Sequence, residues 1–276
     1  MVKFIADSSC DMLDMPGVCF ACVPLTIHTN EEQWTDDKTL DISEMLDTLA
    51  AYKGRSYTSC PGIEAWLSAF EGADTLYVGT LTSGLSGTYN AALAAANIYR
   101  QKHPGIQIEV FDTLSTGPEL RLLMEKLVEL TAKGLSFTEV CEAAHSYLKQ
   151  TRLFFSFRSL HNFAQNGRVS KTVAAAVGML GLRIVGTASA QGTIEPITKC
   201  RGDKRAVRAL LNELEKIGFC KGKLRIGHTE NPELADELAA LIHKKYPQAD
   251  ILVYPARGLC SYYGERGAIF FGAETF

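Results

Sequence analysis

The sequence predicts an α/β protein, because short apolar runs of strand type alternate with longer helical patterns. In the first part of the chain, strands are predicted at residues 3–6, 18–23, 76–80 and 108–111. Helices are predicted between them, at residues 42–51, 63–70, 86–102 and 119–133. Strands separated by helices need crossover connections, which favours a mainly parallel sheet. Such a sheet binds ligands at the carboxyl ends of its strands.

The pattern changes after residue 150. Residues 183–190 and 193–199 both have strand character, and Gln191-Gly192 between them predicts a hairpin turn. Further strands are predicted at 224–227, 250–254 and 268–271, with helices at 203–217 and 232–246. We therefore predict an N-terminal α/β/α domain over residues 1–150 and a C-terminal α/β domain with a mixed sheet over residues 151–276. No flexible linker separates them, so we expect a cleft between two closely packed domains.

Composition excludes several classes of function. With a formal net charge of -3, the chain shows no general attraction to nucleic acid or to anionic membranes. No run approaches 18 apolar residues, so no stable membrane insertion is expected, and the first residues do not resemble a signal peptide. Together with scattered cysteines this indicates a cytoplasmic protein. The histidines show no metal-ligand spacing and no strand precedes Gly-x-Gly-x-x-Gly, so we expect no metal and no cofactor.

A hydroxyl-rich segment joins the strand at 76–80 to the helix that follows. Ser86 is a candidate N-cap and Gly87 leaves the first turn open, while Ser83 and Thr88 add two more hydroxyls. A helix N-terminus offers free backbone N–H groups and partial positive charge, which suits a carboxylate or a phosphate. Ordinary helix capping explains the same residues, so this segment alone leaves both interpretations open.

A second hydroxyl-rich segment precedes the helix at 63–70. Thr58 and Ser59 are predicted in the loop before this helix, and Pro61 suits a helix start. Asp7 and Asp112 follow two of the predicted strands, and we expect both carboxylates to orient loops by accepting backbone hydrogen bonds. In a parallel sheet these loops converge on one rim.

Five segments in this order resemble the DegV family over the whole chain. They are Asp7-Ser8-Ser9-Cys10-Asp11, Thr58-Ser59-Cys60-Pro61, Ser83-Gly84-Leu85-Ser86-Gly87-Thr88-Tyr89, Asp112-Thr113-Leu114-Ser115-Thr116-Gly117 and Leu160 through Asn166-Gly167-Arg168-Val169-Ser170. The resemblance implies two α/β domains with a fatty acid in a tunnel between them. It further implies presentation of a long-chain fatty acid to a bacterial fatty acid kinase.

The resemblance also implies roles for individual residues. Thr58 and Ser86 are expected to bind the carboxylate, assisted by the Gly87 N–H, and Arg168 is expected near the head group or as a brace between the domains. The full set of expected ligand-binding residues is Thr58, Ser59, Ser83, Ser86, Gly87, Thr88, Arg168 and Tyr262.

The chain departs from the family pattern near its C-terminus. Typical members carry a histidine before a Gly-Pro-Gly stretch, whereas residues 260–268 contain no histidine. Tyr262 or Tyr263 is a candidate replacement as hydroxyl donor, and Arg266 is a candidate source of positive charge. This departure bears on the kinase partner more than on acyl binding.

The alternative function is that of an enzyme, with Ser86 or Ser83 as nucleophile toward acyl or phosphoryl substrates. A serine nucleophile requires a base within hydrogen-bond reach. The segment also lacks the Gly-x-Ser-x-Gly elbow of hydrolases. A basic cluster at residues 199–208 is a further candidate, either as a docking surface or as a solvated helix face.

Overall fold

The structure is a computed structural model that describes residues 1–175 and 182–275. The N-terminal part, residues 1–150, contains strands β1 (Val2–Asp7), β2 (Phe20–Val23), β3 (Thr26–His28), β4 (Gln33–Thr35), β5 (Tyr57–Ser59), β6 (Thr75–Thr80) and β7 (Gln107–Asp112). Its helices are α1 (Ile42–Ala51), α2 (Ile63–Phe70), α3 (Thr88–Lys102), α4 (Pro118–Ala132) and α5 (Phe137–Leu148).

The C-terminal part, residues 151–276, contains strands β8 (Thr151–Phe157), β9 (Leu182–Ala188), β10 (Ile194–Arg201), β11 (Gly222–His228), β12 (Ala249–Pro255) and β13 (Ile269–Glu274). Its helices are α6 (His161–Gln165), α7 (Lys171–Ala175), α8 (Asp203–Lys216), α9 (Pro232–Lys245) and α10 (Gly258–Gly264). None of the helices in residues 1–175 and 182–275 is both long and apolar enough to cross a lipid bilayer.

The larger N-terminal sheet is parallel, with strand order β2-β1-β6-β7. Its strands are apolar on both faces, because helices cover the sheet from either side. One face packs on α4 and α5 through residues such as Leu123 and Val140. The opposite face packs on α2 and α3 through residues such as Trp66 and Ala95. The predicted α/β/α arrangement of the N-terminal part is confirmed.

The C-terminal sheet has six strands in the order β10-β9-β8-β13-β11-β12. Among the strands of the described residues in this sheet, only β11 and β12 pair in parallel, so the predicted mixed sheet is confirmed. Helices α8 and α9 cover one face, where Phe154 and Phe271 lie in the core. The other face turns toward the N-terminal part and carries Phe155 and Phe270. The division into domains at residue 150 stays a prediction.

A small antiparallel sheet, with order β4-β3-β5, is absent from the sequence-based prediction. Each of its strands is three residues long, which is too short for a readable alternation of apolar residues. Thr58 and Ser59 therefore lie in a strand and not in a helix-entry loop. The helix predicted from Ser86 begins at Thr88, and the strand predicted from Val18 begins at Phe20.

The two parts are held together by two aspartate side chains at the start of α10. The carboxylate of Asp36 accepts hydrogen bonds from the backbone N–H groups of Gly258 and Leu259, both at 2.8 Å. Asp11 accepts another from the Arg257 N–H at 2.7 Å. These N–H groups have no partner inside the helix, so carboxyl oxygens from the N-terminal part accept their hydrogen bonds.

The loops of the N-terminal rim are joined by aspartates. Asp7 accepts hydrogen bonds from the N–H groups of Ser9 and Leu81, at 3.0 and 2.7 Å. Asp112 accepts two more, from Ser83 and Leu114, each at 3.1 Å. The predicted role of both carboxylates in orienting loops is confirmed.

The hairpin of β9 and β10 reaches the same rim. Its strands pair in antiparallel register around the predicted turn at Gln191-Gly192. Gly192 has a φ of +71°, and a Cβ at this position would lie 1.9 Å from the Thr82 Oγ1 and 2.9 Å from the Leu114 Cα. The tip of the hairpin therefore fits against the N-terminal loops only because the residue has no side chain.

We expect Gly192→Ala to destabilise the protein by about 2–4 kcal/mol, through backbone strain and the clash with Thr82. Gly134→Ala is the matched control, because Gly134 has a φ of +74° and a Cβ added there would meet no atom within 4 Å. It should cost about 1 kcal/mol from strain alone. Urea unfolding measures both free energies. Equal losses would contradict a tight contact at the hairpin tip.

We also expect stability to fall with rising pH. Burial raises the pKa of Asp11 to about 8, although the Arg257 N–H and Arg121 oppose this effect and Asp36 adds to it. The folded state then holds a proton that the unfolded chain has already released, so stability declines as pH rises toward 8. Between pH 6.5 and 8.5 the loss should be about 1–2 kcal/mol.

Thermal unfolding across this range measures the effect. Asp11→Asn keeps an oxygen for the Arg257 N–H and cannot titrate. Its unfolding temperature should therefore vary less with pH than that of the wild type. A variant with the same pH dependence as the wild type would exclude Asp11 as the group responsible.

Candidate functional site

An apolar pocket lies between the N-terminal and C-terminal parts. It has about 730 Å³ of space between atoms, its opening to solvent included. Much of its wall is aliphatic or aromatic, including Leu81, Leu153, Phe155, Phe157, Phe163 and Phe270. The pocket suits a largely apolar ligand.

The alternation of β8 builds one wall of the pocket. Leu153, Phe155 and Phe157 point to the pocket face of the strand. Phe154 points to the opposite face and packs in the core beneath α8 and α9. Side chains of a strand alternate between faces, so a continuous apolar run covers both a ligand pocket and a core.

Polar side chains gather at one end of the pocket. Thr58, Ser86, Arg168 and Tyr263 line it, although they come from distant parts of the chain. The hydroxyls of Thr58 and Tyr263 are 2.8 Å apart. Burial raises the pKa of the Tyr263 hydroxyl, and the nearby positive charge of Arg168 lowers it by a smaller amount. We call these four residues the polar end of the pocket.

Ser86 enters the polar end from the loop before α3. The N-cap of α3 is Gly87, which provides no side-chain capping bond, so the predicted N-cap role of Ser86 is wrong. The Ser86 Oγ instead lies 2.8 Å from the Thr88 Oγ1 and accepts a hydrogen bond from the Thr88 N–H at 3.3 Å. Ser86 also lines the pocket.

Arg168 is held in place by two backbone carbonyls. Its Nε donates to the Leu85 oxygen at 3.1 Å, and its Nη1 donates to the Asn166 oxygen at 2.6 Å. The first of these bonds joins the C-terminal part to the loop that carries Ser86. Arg168 therefore lies in the pocket wall and braces the two parts, as one of the two interpretations predicts, whereas its place near a head group stays a prediction.

Four of the predicted residues do not line the pocket. Ser59 is exposed and its Oγ lies 2.8 Å from the His28 Nε2, because alternation along β5 turns it away from Thr58. Ser83 is exposed at the outer side of its loop. Gly87 is exposed at the start of α3, and Thr88 is buried behind Ser86. Their direct contact with a ligand is not supported by this geometry.

Tyr262 also lies outside the pocket, which corrects its predicted place. Its side chain is fully buried, and its hydroxyl lies 2.9 Å from both the Ser56 Oγ and the Asn166 Nδ2. The neighbouring Tyr263 lines the pocket in its place. Successive residues of a helix point about 100° apart, and the sequence alone did not decide which tyrosine faces the ligand.

The geometry gives no support to a serine nucleophile. Among the pocket-lining residues of the described chain, none is a histidine, an aspartate or a glutamate. The hydroxyl nearest to Ser86 is that of Thr88, which is not a base. The Ser59–His28 pair is exposed on the outer face of the small sheet. Nor does the described part of the chain contain a group of three or more His, Cys, Asp or Glu suited to a metal ion.

Comparison with known proteins agrees with this architecture. The DegV family model, described as "Uncharacterised protein, DegV family", matches residues 1–274. A DegV domain-containing protein of Streptococcus pneumoniae is 42% identical over 276 residues, which is 99% of this chain and 98% of that protein.

Two crystal structures superpose closely. A DegV family protein from Eubacterium eligens, loaded with heptadecanoic acid, has a TM-score of 0.98, 50% identity and 100% coverage of both chains. The Streptococcus pneumoniae Fatty Acid Kinase B3 protein, loaded with linoleic acid, has a TM-score of 0.98 and 41% identity, covering 100% of this chain and 99% of its own. The chain belongs to the DegV family.

Proposed function

We propose that the protein binds one long-chain fatty acid, with the acyl chain in the apolar pocket and the carboxylate at the polar end. The observation that carries this proposal is that an apolar wall adjoins the three hydroxyls and one guanidinium of the polar end. Each methylene transferred from water contributes about 0.8 kcal/mol, so the acyl chain supplies most of the affinity. The fatty acids in the two similar crystal structures support the same ligand class.

The polar end lowers the free-energy cost of burying the carboxylate of the fatty acid. A carboxylate removed from water without partners loses several kcal/mol of hydration free energy. Thr58 and Ser86 offer hydroxyl donors, and Arg168 offers a cation whose position is fixed by Leu85 and Asn166. Hydrogen bonds to charged groups are stronger than neutral ones, so this set favours an ionised head group.

We further propose that the bound acid is presented to a fatty acid kinase and that the protein itself performs no chemistry on it. The support is the similarity to a protein whose name includes Fatty Acid Kinase, and the lack of a histidine, an aspartate or a glutamate among the described pocket residues. An enzymatic role on acyl substrates finds no supporting constellation in this geometry.

Native mass spectrometry of the protein purified from a bacterial host tests acyl binding. We expect a mass increase of one fatty acid, which denaturation removes. Thr58→Ala combined with Ser86→Ala should lower affinity about 10- to 100-fold, because two charge-assisted hydrogen bonds are lost. Ser59→Ala is the matched control, since this adjacent hydroxyl faces outward, and it should retain the lipid. A wild-type mass equal to that of the bare chain would contradict the proposal.

A reconstituted assay tests presentation to a kinase. We expect a bacterial fatty acid kinase and ATP to convert the bound acid to acyl phosphate, because the head group lies at the polar end and not in the apolar interior. Chromatography of the extracted lipid measures conversion, and kinase without the protein is the control. Retention of unmodified acid by the loaded protein would leave binding intact and contradict presentation to that kinase.

A further inference from the structure

Each hydroxyl proposed to bind the head group lies within hydrogen-bond distance of a second hydroxyl. The Thr58 Oγ1 lies 2.8 Å from the Tyr263 OH. The Ser86 Oγ lies 2.8 Å from the Thr88 Oγ1. The first pair joins residues 205 positions apart, whereas the second lies within one loop. The same arrangement therefore occurs twice, on unrelated elements.

We infer that Tyr263 and Thr88 are positioning residues whose hydroxyls direct the protons of Thr58 and Ser86 toward an anionic head group. This inference rests on the proposed function, because it concerns the same polar end. It assigns a positioning role to Tyr263, which also lines the pocket, and to Thr88, which does not, and it specifies the head group as one that only accepts hydrogen bonds.

Proton counting gives the direction of the bonds. A hydroxyl has one proton, and a carboxylate only accepts hydrogen bonds. Thr58 therefore donates to a carboxylate only when it accepts from Tyr263. The phenol, with a pKa near 10, is the more acidic of the two hydroxyls and hence the better donor. Burial raises the pKa of Tyr263 further, so it keeps its proton at neutral pH.

Ser86 is constrained in the same way. Its oxygen accepts from the Thr88 N–H at 3.3 Å, and the Thr88 hydroxyl lies 2.8 Å away. With Thr88 donating through both groups, the two lone pairs of Ser86 are occupied and its proton is directed away from Thr88. Thr88 is fully buried at the start of α3, so it holds Ser86 without contacting the pocket.

The consequence is that the pocket binds a charged carboxylate in preference to an uncharged alcohol. Two hydroxyls whose protons already point into the pocket match a carboxylate, which accepts both. Hydrogen bonds in series also polarise one another, which strengthens the donors that face the charge. An alcohol of the same chain length brings its own proton and gains less from this arrangement. We call these two pairs of hydroxyls the relay. The ratio of acid affinity to alcohol affinity measures the effect of the relay. A general loosening of the structure would lower both affinities alike and leave their ratio unchanged.

The chain provides a matched control in the adjacent tyrosine. Tyr262 makes the equivalent bond to Ser56, two residues before Thr58 on the same segment, at 2.9 Å. Its hydroxyl does not reach the pocket lining, so Tyr262→Phe removes a bond between the same elements without touching the relay. Tyr263→Phe keeps the ring that packs on Phe163 and removes only the hydroxyl.

The experiment measures dissociation constants for hexadecanoic acid and 1-hexadecanol, by displacement of a fluorescent fatty acid. For Tyr263→Phe we expect acid affinity to fall about tenfold and alcohol affinity about twofold or less. Thr88→Val should show the same pattern, and Thr88→Ser should restore the wild-type ratio. Tyr262→Phe should leave the ratio unchanged. Melting temperatures identify variants that fail to fold. If the Thr88 variants fail to fold, the comparison of Tyr263→Phe with Tyr262→Phe decides the test.

Three results would overturn the inference, and they differ in whether fatty acid binding is also excluded. If the wild type binds the acid but Tyr263→Phe keeps the wild-type ratio, the relay is excluded while fatty acid binding stands. The same holds if Tyr262→Phe shifts the ratio as much as Tyr263→Phe. If the wild type binds neither ligand, the proposed function and the relay are both excluded.

Discussion

The carboxylate of Asp36 is the contact on which the pocket depends. It binds the first N–H groups of α10, and Asp11 binds the residue before them, so a helix of the C-terminal part begins inside the N-terminal part. Leu259, Cys260 and Tyr263 of that helix then face the pocket. Asp36 is fully buried, and burial raises its pKa while the Gly258 and Leu259 N–H groups and Arg257 lower it. Without these partners a charge buried at this position would be strongly destabilising.

The repeating features of the fold could be predicted from sequence, and the features that depend on distant contacts could not. Long apolar strands and the helices between them predicted the N-terminal layers, and Gln191-Gly192 predicted the hairpin. The small sheet was missed because its strands are short and draw their stability from Ile27 packing on α1. Thr58, Ser86 and Arg168 were predicted and do line the pocket, but their ligand role stays a prediction. Tyr263 was named only as an alternative to Tyr262, because helix rotation depends on the contacts of α10.

The pocket also explains why so many aromatic rings lie in the C-terminal sheet. Phe155 and Phe157 stack with centroids 4.4 Å apart, and Phe157 contacts Phe163 and Phe270. Rings that support one another in this way keep a wall in place when nothing fills the space beside it. The wall is thus part of a packed core on one side and a ligand surface on the other. The two parts are also connected by an ion pair between Glu125 of α4 and Arg225 of β11.

The separation of the site residues along the chain has a consequence for biosynthesis. Thr58 and Tyr263 meet across 205 positions, and Asp11 and Arg257 meet across 246. Contacts at such separation form late, because closing a long loop costs entropy before any contact repays it. The polar end of the pocket therefore does not exist while the chain is still emerging from the ribosome. During that time the nascent chain exposes Phe155, Phe157 and the other aromatic rings of the pocket. Until Tyr263 has been added, contacts other than those of the completed pocket must keep these rings from aggregating.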